Sequence, residues 1–130
     1  MAYINGHKIL SVVEVIDYTD SIIDRTISSI TSSVSSVGSH AFRNCANLTT
    51  AILTKATSIG LSAFTGCTSL TTMTLGANQV CTIPTTNSIP ATSTQHLTIY
   101  VPSDLITSYQ AYTNWSTLYN DGYIDFVAIS

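Results

Sequence analysis

A 22-residue repeat constrains the fold of this chain more than any other sequence feature. Residues 36–57 (SVGSHAFRNCANLTTAILTKAT) align without gaps to residues 58–79 (SIGLSAFTGCTSLTTMTLGANQ), which sets Phe42 over Phe64 and Cys45 over Cys67. One coil of about this length cannot bury its own apolar face, but a second coil stacked on it can. We therefore expect successive coils to lie on one another, with like residues forming ladders in a common core.

The residues of each coil alternate between apolar and hydroxyl side chains, which separates an inward face from an outward one. β-branched threonine suits an exposed strand because its stiff side chain fits the pleated surface. The pattern predicts inward positions at Cys45, Leu48, Ala51, Leu53, Cys67, Leu70, Met73 and Leu75. It predicts an outward interaction face made of Thr49, Thr50, Ile52, Thr71, Thr72 and Thr74.

Weaker copies of the repeat flank the two clear ones. Residues 26–31 (TISSIT) align with the segment that begins at Leu48 by the same offset of 22, and residues 82–96 are interpreted as an irregular coil. Gly38 and Gly60 are predicted to occupy tight corners that need a positive φ angle. The repeat region is accordingly predicted to span residues 26–97, as a mainly β solenoid with short helical elements.

Both ends of such a short solenoid need covering, because exposed strand edges invite aggregation. Asn5-Gly6 is a strong hairpin signal, so residues 1–25 are predicted to form an N-terminal hairpin cap. Residues 98–130 are predicted to form a C-terminal cap, all within one compact domain. This cap is a strand over residues 98–101, a helix capped by Ser103 that begins at Asp104, and a final strand over residues 123–129.

Seven of the eleven aromatic residues lie in the C-terminal cap. The favoured interpretation is that these rings seal the end of the core. The alternative is a platform on which sugar rings stack. Its candidate residues are Tyr112, Trp115 and Tyr119.

The two clear coils resemble the BspA-like bacterial surface-antigen type of leucine-rich repeat. Residues 37–48 (VGSHAFRNCANL) and 59–70 (IGLSAFTGCTSL) follow its pattern closely. The resemblance implies a leucine-rich-repeat solenoid, surface display and adhesion, with no catalytic residues to transfer. The start Tyr3-Ile4-Asn5-Gly6 is also similar to that of some prophage-encoded structural proteins, so a virion is a second expected location beside the bacterial cell surface.

Composition narrows the range of partners. Only 8% of residues are charged, and the cations are Lys8, Arg25, Arg43 and Lys55, too few for a counterion-releasing nucleic-acid surface. No apolar run approaches the roughly 20 residues that span a bilayer, so membrane insertion is not expected. The N-terminus lacks the features of a secretory signal, so synthesis in the cytoplasm without a signal peptide is expected.

Catalytic chemistry has no support in the sequence, which lacks a Gly-x-Ser-x-Gly elbow, a phosphate-binding loop and a His-Glu-x-x-His helix. No catalytic, cofactor-binding or metal-ligating residues are predicted. Cys45 and Cys67 fall on adjacent strands, where a disulfide is geometrically conceivable, although two reduced, stacked thiols are favoured.

The leading functional hypothesis is a non-enzymatic recognition or adhesion module that binds a protein or a cell-surface glycan through the repeat face. One alternative is a structural or assembly protein without a ligand of its own, whose N-terminal segment docks on a virion or forms a homo-oligomer. A carbohydrate-active enzyme is the least favoured, because the repeats supply no convergent pair of acids.

Overall fold

The computed structural model describes residues 25–129 with their side chains, and the backbone of residues 3–4, 7–10 and 15–16. The chain forms a β-solenoid of about three turns, which confirms the predicted leucine-rich-repeat fold. The strands are β1 (Tyr3–Ile4), β2 (His7–Leu10), β3 (Val15–Ile16), β4 (Ser29–Ser32), β5 (Ser36–Val37), β6 (Thr50–Leu53), β7 (Ser58–Ile59), β8 (Thr72–Leu75), β9 (Leu97–Val101) and β10 (Ile124–Ala128). Two short helices, α1 (Ile106–Ala111) and α2 (Trp115–Asn120), lie between β9 and β10.

Two sheets run along the solenoid. The larger has seven strands in the order β1-β2-β4-β6-β8-β9-β10, and the smaller has three in the order β3-β5-β7. Within the larger sheet every pairing is parallel except that of β1 with β2, which is antiparallel with Tyr3 opposite Lys8. The predicted N-terminal hairpin is therefore present, although Asn5-Gly6 itself lies outside the described residues.

The strand registers show where the 22-residue period holds and where it changes. Thr50 pairs with Thr72 at the expected interval of 22. Ser29, however, pairs with Thr50, so the first interval is 21 and the predicted alignment of residues 26–31 was wrong by one residue. Ile27 takes the buried position that Leu48 occupies in the next coil. The β8–β9 interval is longer, because Thr72 pairs with Thr98 across the irregular coil.

The core follows the predicted ladders closely. All eight residues predicted to point inward are fully buried, and so are the two stacked phenylalanines. The rings of Phe42 and Phe64 lie 5.1 Å apart between centroids and are inclined by only 13°. At the inward position equivalent to Leu53 the first coil carries Ser32, whose hydroxyl accepts a hydrogen bond from the Val34 amide.

The turns repeat as regularly as the strands, but through other residues than predicted. Positive φ angles occur at His40 and Ser62, which are 22 residues apart, and again at Asn44 and Gly66. Gly60 is not among the residues with positive φ, which corrects the prediction made for it and for Gly38. Gly60 is needed for another reason: a Cβ there would lie 2.5 Å from the Ser39 amide nitrogen of the coil below.

The C-terminal module continues the stack with helices in place of a turn. A 3-10 segment, Ser103–Leu105, precedes α1, and no side-chain cap bonds its start, so the predicted capping by Ser103 is wrong. The helices are fixed to the preceding coil at Cys81. The Cys81 amide donates to the Tyr109 hydroxyl over 2.8 Å, and the Trp115 indole donates to the Cys81 carbonyl over 2.6 Å.

Candidate binding surface

The outward side of the larger sheet presents two rows of half-exposed side chains, which we call the outward face. Each row follows from strand alternation, since every second residue of β4, β6, β8 and β9 points away from the core. Strand pairing then aligns these residues across the sheet. The first row is Ser29, Thr50, Thr72 and Thr98, and the second is Thr31, Ile52, Thr74 and Tyr100.

The structure brings together four of the six predicted face residues and enlarges the set. Thr50, Ile52, Thr72 and Thr74 lie side by side, and the Thr72 hydroxyl donates to the Thr50 hydroxyl over 3.1 Å. Sequence reasoning missed Ser29, Thr31, Thr98 and Tyr100 because it used only the two clear coils. The alternation of β9, buried at Leu97, Ile99 and Val101, is the signal that would have found Thr98 and Tyr100.

The other two predicted face residues, Thr49 and Thr71, lie before the strands and stabilise the stack. Thr49 Oγ1 donates to the Ser28 carbonyl over 3.0 Å, and Thr71 Oγ1 donates to the Thr49 carbonyl over 3.3 Å. Both side chains are exposed, but their hydroxyl protons are committed to the coil below. They border the outward face rather than form its centre.

The outward face is uncharged, because its eight members are Ser, Thr, Ile and Tyr. A charged residue borders this face on β10, where Asp125 pairs with Thr98 in register and accepts a hydrogen bond from His96 over 3.0 Å. A surface of hydroxyls with one aliphatic and one aromatic side chain can contact a neutral polypeptide or sugar without a cost for desolvating charge.

The predicted sugar platform is not assembled by the structure. Trp115 is fully buried and lies in T-shaped contact with the rings of Tyr109 and Phe126, so it cannot stack on a ligand. Tyr119 is half-buried against Phe126, with 5.8 Å between ring centroids. Tyr112 is exposed, at 43%. Trp115 is better placed to seal the core, which was the favoured interpretation of these aromatics.

A groove of about 640 Å³ lies elsewhere, between the turns of the second clear coil and the C-terminal module. Its floor includes the buried side chains of Ile89 and Leu118, and its rim includes Gln95, Asp121 and Tyr123. The Gln95 amide donates to the carbonyls of Cys67 and Leu70, which holds the side chain at the rim. An apolar floor with a few polar groups is typical of small-ligand sites.

Comparison with known protein families identifies the family of this chain from its repeats. The family described as "BspA type Leucine rich repeat region" matches residues 21–118 in six copies, which is well over half of the 130 residues. The chain belongs to this family. No curated protein and no solved structure matches significantly. Leucine-rich repeats of this type are as a rule non-enzymatic protein-binding modules, and nothing in the match supports the phage or prophage origin expected from residues 3–6.

The cysteines of this BspA-type repeat protein are core residues. Cys45, Cys67 and Cys81 are free and fully buried, so the structure favours the reduced alternative. A hydrogen bond with Cys45, together with burial, raises the pKa of the Cys67 thiol far above its usual range. Burial raises the pKa of Cys81 to about 12. Since the thiolate is the nucleophile, the thiols of Cys67 and Cys81 are unreactive at neutral pH.

Two further features of the BspA-type chain bear on its chemistry. Among residues 25–129 and the described strands before them, no three His, Cys, Asp or Glu residues come together in an arrangement suited to a metal ion. In the same part of the chain, neither six-residue helix has the length or apolar character needed to cross a bilayer.

Proposed function

We propose that this protein is a recognition module of a bacterial or phage surface, which binds a protein partner through the outward face. The observation that carries the proposal is the uncharged, two-row array built from four parallel strands around Thr74. Family membership supports the general class, since BspA-type repeats are consistent with protein binding and adhesion. We propose in addition that the module acts at a surface and that its partner is a protein.

The outward face has the properties of a protein-binding surface. Its members are held by strand pairing on a fully buried core, so little side-chain and backbone freedom is lost on binding. Tyr100 and Ile52 flank Thr74 in one row and supply apolar contact area among hydroxyls. Tyrosine is enriched at interfaces and among residues that dominate binding energy, so Tyr100 is the expected anchor.

Binding to intact bacteria and purified cell envelopes, before and after protease treatment, tests the proposal. The protein is displayed on beads so that weak contacts act together. Ile52→Asp and Tyr100→Ala should each reduce binding at least about tenfold, as expected for central interface residues. Leu61→Asp is the matched control, because Leu61 is 43% exposed and lies outside the outward face.

Protease treatment should abolish binding if the partner is a protein. Equal binding by the two face variants and the wild type would contradict the proposal, and so would the absence of binding to any envelope preparation.

A glycan bound in the groove beside Tyr123 is the second candidate. The groove volume suits a small saccharide, and Asp121 and Gln95 are oxygen-bearing side chains that can accept hydrogen bonds from sugar hydroxyls. Protease-resistant binding that is lost in Tyr123→Ala and Asp121→Asn, but kept in Tyr100→Ala, would favour this candidate. Assembly of the chain into a larger particle through its N-terminal segment stays a prediction, for which removal of residues 1–20 is the test.

A further inference from the structure

The last strand of the larger sheet, β10, has one open edge. It pairs with β9 on one side, and no other strand in the described part of the chain pairs with it. The Ile129 amide donates to the Val101 carbonyl, and the Leu97 amide donates to the Tyr123 carbonyl. The backbone amides and carbonyls of the odd-numbered residues of this strand therefore bond to β9. Those of Ile124, Phe126 and Ala128 point toward the open edge.

Natural edge strands are usually protected by charge, proline or a bulge. The sequence of β10, IDFVA, contains no proline and no lysine, and its single charge is Asp125. His96 Nε2 lies 3.0 Å from Asp125 Oδ2, so that charge already has a partner within the same chain. Val127 and Ile129 are each 41% exposed, and they are two of the four large apolar side chains that are exposed among residues 25–129.

The apolar character continues on the inner side of the same strand. Phe126 is only partly buried, with its ring 5.3 Å from Tyr109 and 5.8 Å from Tyr119 between centroids. This aromatic cluster ends the core at the last layer of the stack. An open strand edge therefore coincides with an incompletely covered aromatic end.

From this edge we propose that two copies of the chain associate through β10, pairing antiparallel about a twofold axis at Phe126. In that register Phe126 faces its own copy, and Ile124 faces Ala128 of the second copy. Ile124, Phe126 and Ala128 of each copy then have both their backbone amide and their carbonyl hydrogen-bonded to the other copy, so the edge is self-complementary. The two Phe126 rings become a cross-strand aromatic pair.

The pairing has a consequence for charge that makes it testable. On the exposed side of the sheet, Asp125 of one copy lies opposite Val127 of the other, and the reverse pair is related by symmetry. An acidic side chain at position 127 would therefore face a carboxylate twice, whereas a basic one would face an opposite charge twice. A twofold axis at this edge also joins the two outward faces into one continuous surface.

Sedimentation velocity over a concentration series, with the full chain, tests the proposal. The wild type should form a concentration-dependent dimer. Val127→Asp should weaken the dimer about tenfold or more, since it places two like-charge pairs directly opposite each other. Val127→Lys should dimerise at least as well as the wild type, and Leu61→Asp should be unchanged.

Ala128→Pro gives an independent test, because it removes an amide that points away from β9 and leaves the β9 pairing intact. It should weaken the dimer while thermal unfolding shows a folded chain. A wild type that stays monomeric up to about millimolar concentration, where even weak association is detected, would overturn the proposal. A dimer that responds to neither Val127→Asp nor Ala128→Pro would overturn it as well.

Discussion

Phe42 and Phe64, 22 residues apart in sequence, stack face to face with 5.1 Å between ring centroids and no solvent exposure. The backbones of the turns that carry these rings are hydrogen-bonded to each other as well, since the Phe42 amide donates to the Ala63 carbonyl over 2.8 Å. Side-chain and backbone ladders therefore share one period, which explains why the sequence repeats so closely between these two coils.

Replacing Phe64 with alanine should strongly destabilise the stack, because it opens a cavity beside Phe42. The expected loss is about 3–5 kcal/mol in the free energy of unfolding, measured by urea denaturation. Phe64→Leu should cost clearly less, since most of the cavity is filled. A loss below about 1 kcal/mol for the alanine variant, well short of a core cavity, would show that the ring is not packed as described.

Tyr109→Phe should destabilise the junction between solenoid and C-terminal module. The Tyr109 hydroxyl accepts from the buried Cys81 amide, and its removal leaves that donor unsatisfied at a cost of about 1–3 kcal/mol. Tyr112→Phe, at an exposed ring, is the control and should change stability by less than about 0.5 kcal/mol. Equal denaturation midpoints for the two variants would argue against the hydrogen bond.

Two glycine substitutions should differ for a steric reason. A Cβ at Gly60 would meet backbone atoms of Ser39 and Gly38 at 2.5–2.9 Å, so Gly60→Ala should cost about 3 kcal/mol, at the upper end of overpacking effects. Gly122 has open space around it and a positive φ of 78°, so Gly122→Ala should cost only about 1–2 kcal/mol. Thermal unfolding of both variants measures which substitution costs more stability. A larger loss for Gly122→Ala than for Gly60→Ala would contradict the close approach of the coils.

Stability should fall in alkaline solution because of Cys81. Burial raises the pKa of this thiol from 9.0 to about 12, so the folded chain holds its proton more tightly than the unfolded chain. The resulting stability is fully present below pH 9 and is lost as the pH rises toward 12. Urea denaturation across this range should show a shallower decline for Cys81→Ala than for the wild type. Parallel curves would show that the thiol titrates normally.

The sequence was sufficient for the solenoid, because the 22-residue period follows directly from stacking identical core residues. It was misleading at the first coil, where Ser32 occupies an inward position that holds leucine in later coils. Because a polar residue stands there, the pattern did not indicate that the first coil is offset by 21 residues from the second. The spacing of Ile27 and Ile30, which matches that of Leu48 and Ala51, is consistent with that offset.

The candidate site was less predictable than the fold. Alternation placed Thr50 and Thr74 on the outward side of their strands, where the structure has them. It also placed Thr49 and Thr71 there, whose hydroxyls donate to carbonyls of the preceding coil. For Trp115 the sequence favoured a core seal but left the sugar platform open. Its burial depends on the docking of α2 against the Cys81 carbonyl, a long-range contact that no local pattern specifies.

Ring-proton contacts between phenylalanines test the stacking of coils most directly. The chain has only three phenylalanines, so selective labelling of this residue type gives an NMR spectrum with few ambiguities. A strong nuclear Overhauser effect between the rings of Phe42 and Phe64 is expected, with neither ring in contact with Phe126. If the Phe42 and Phe64 rings show no contact, or both are reached by a paramagnetic agent in the solvent, the coils do not stack in this register.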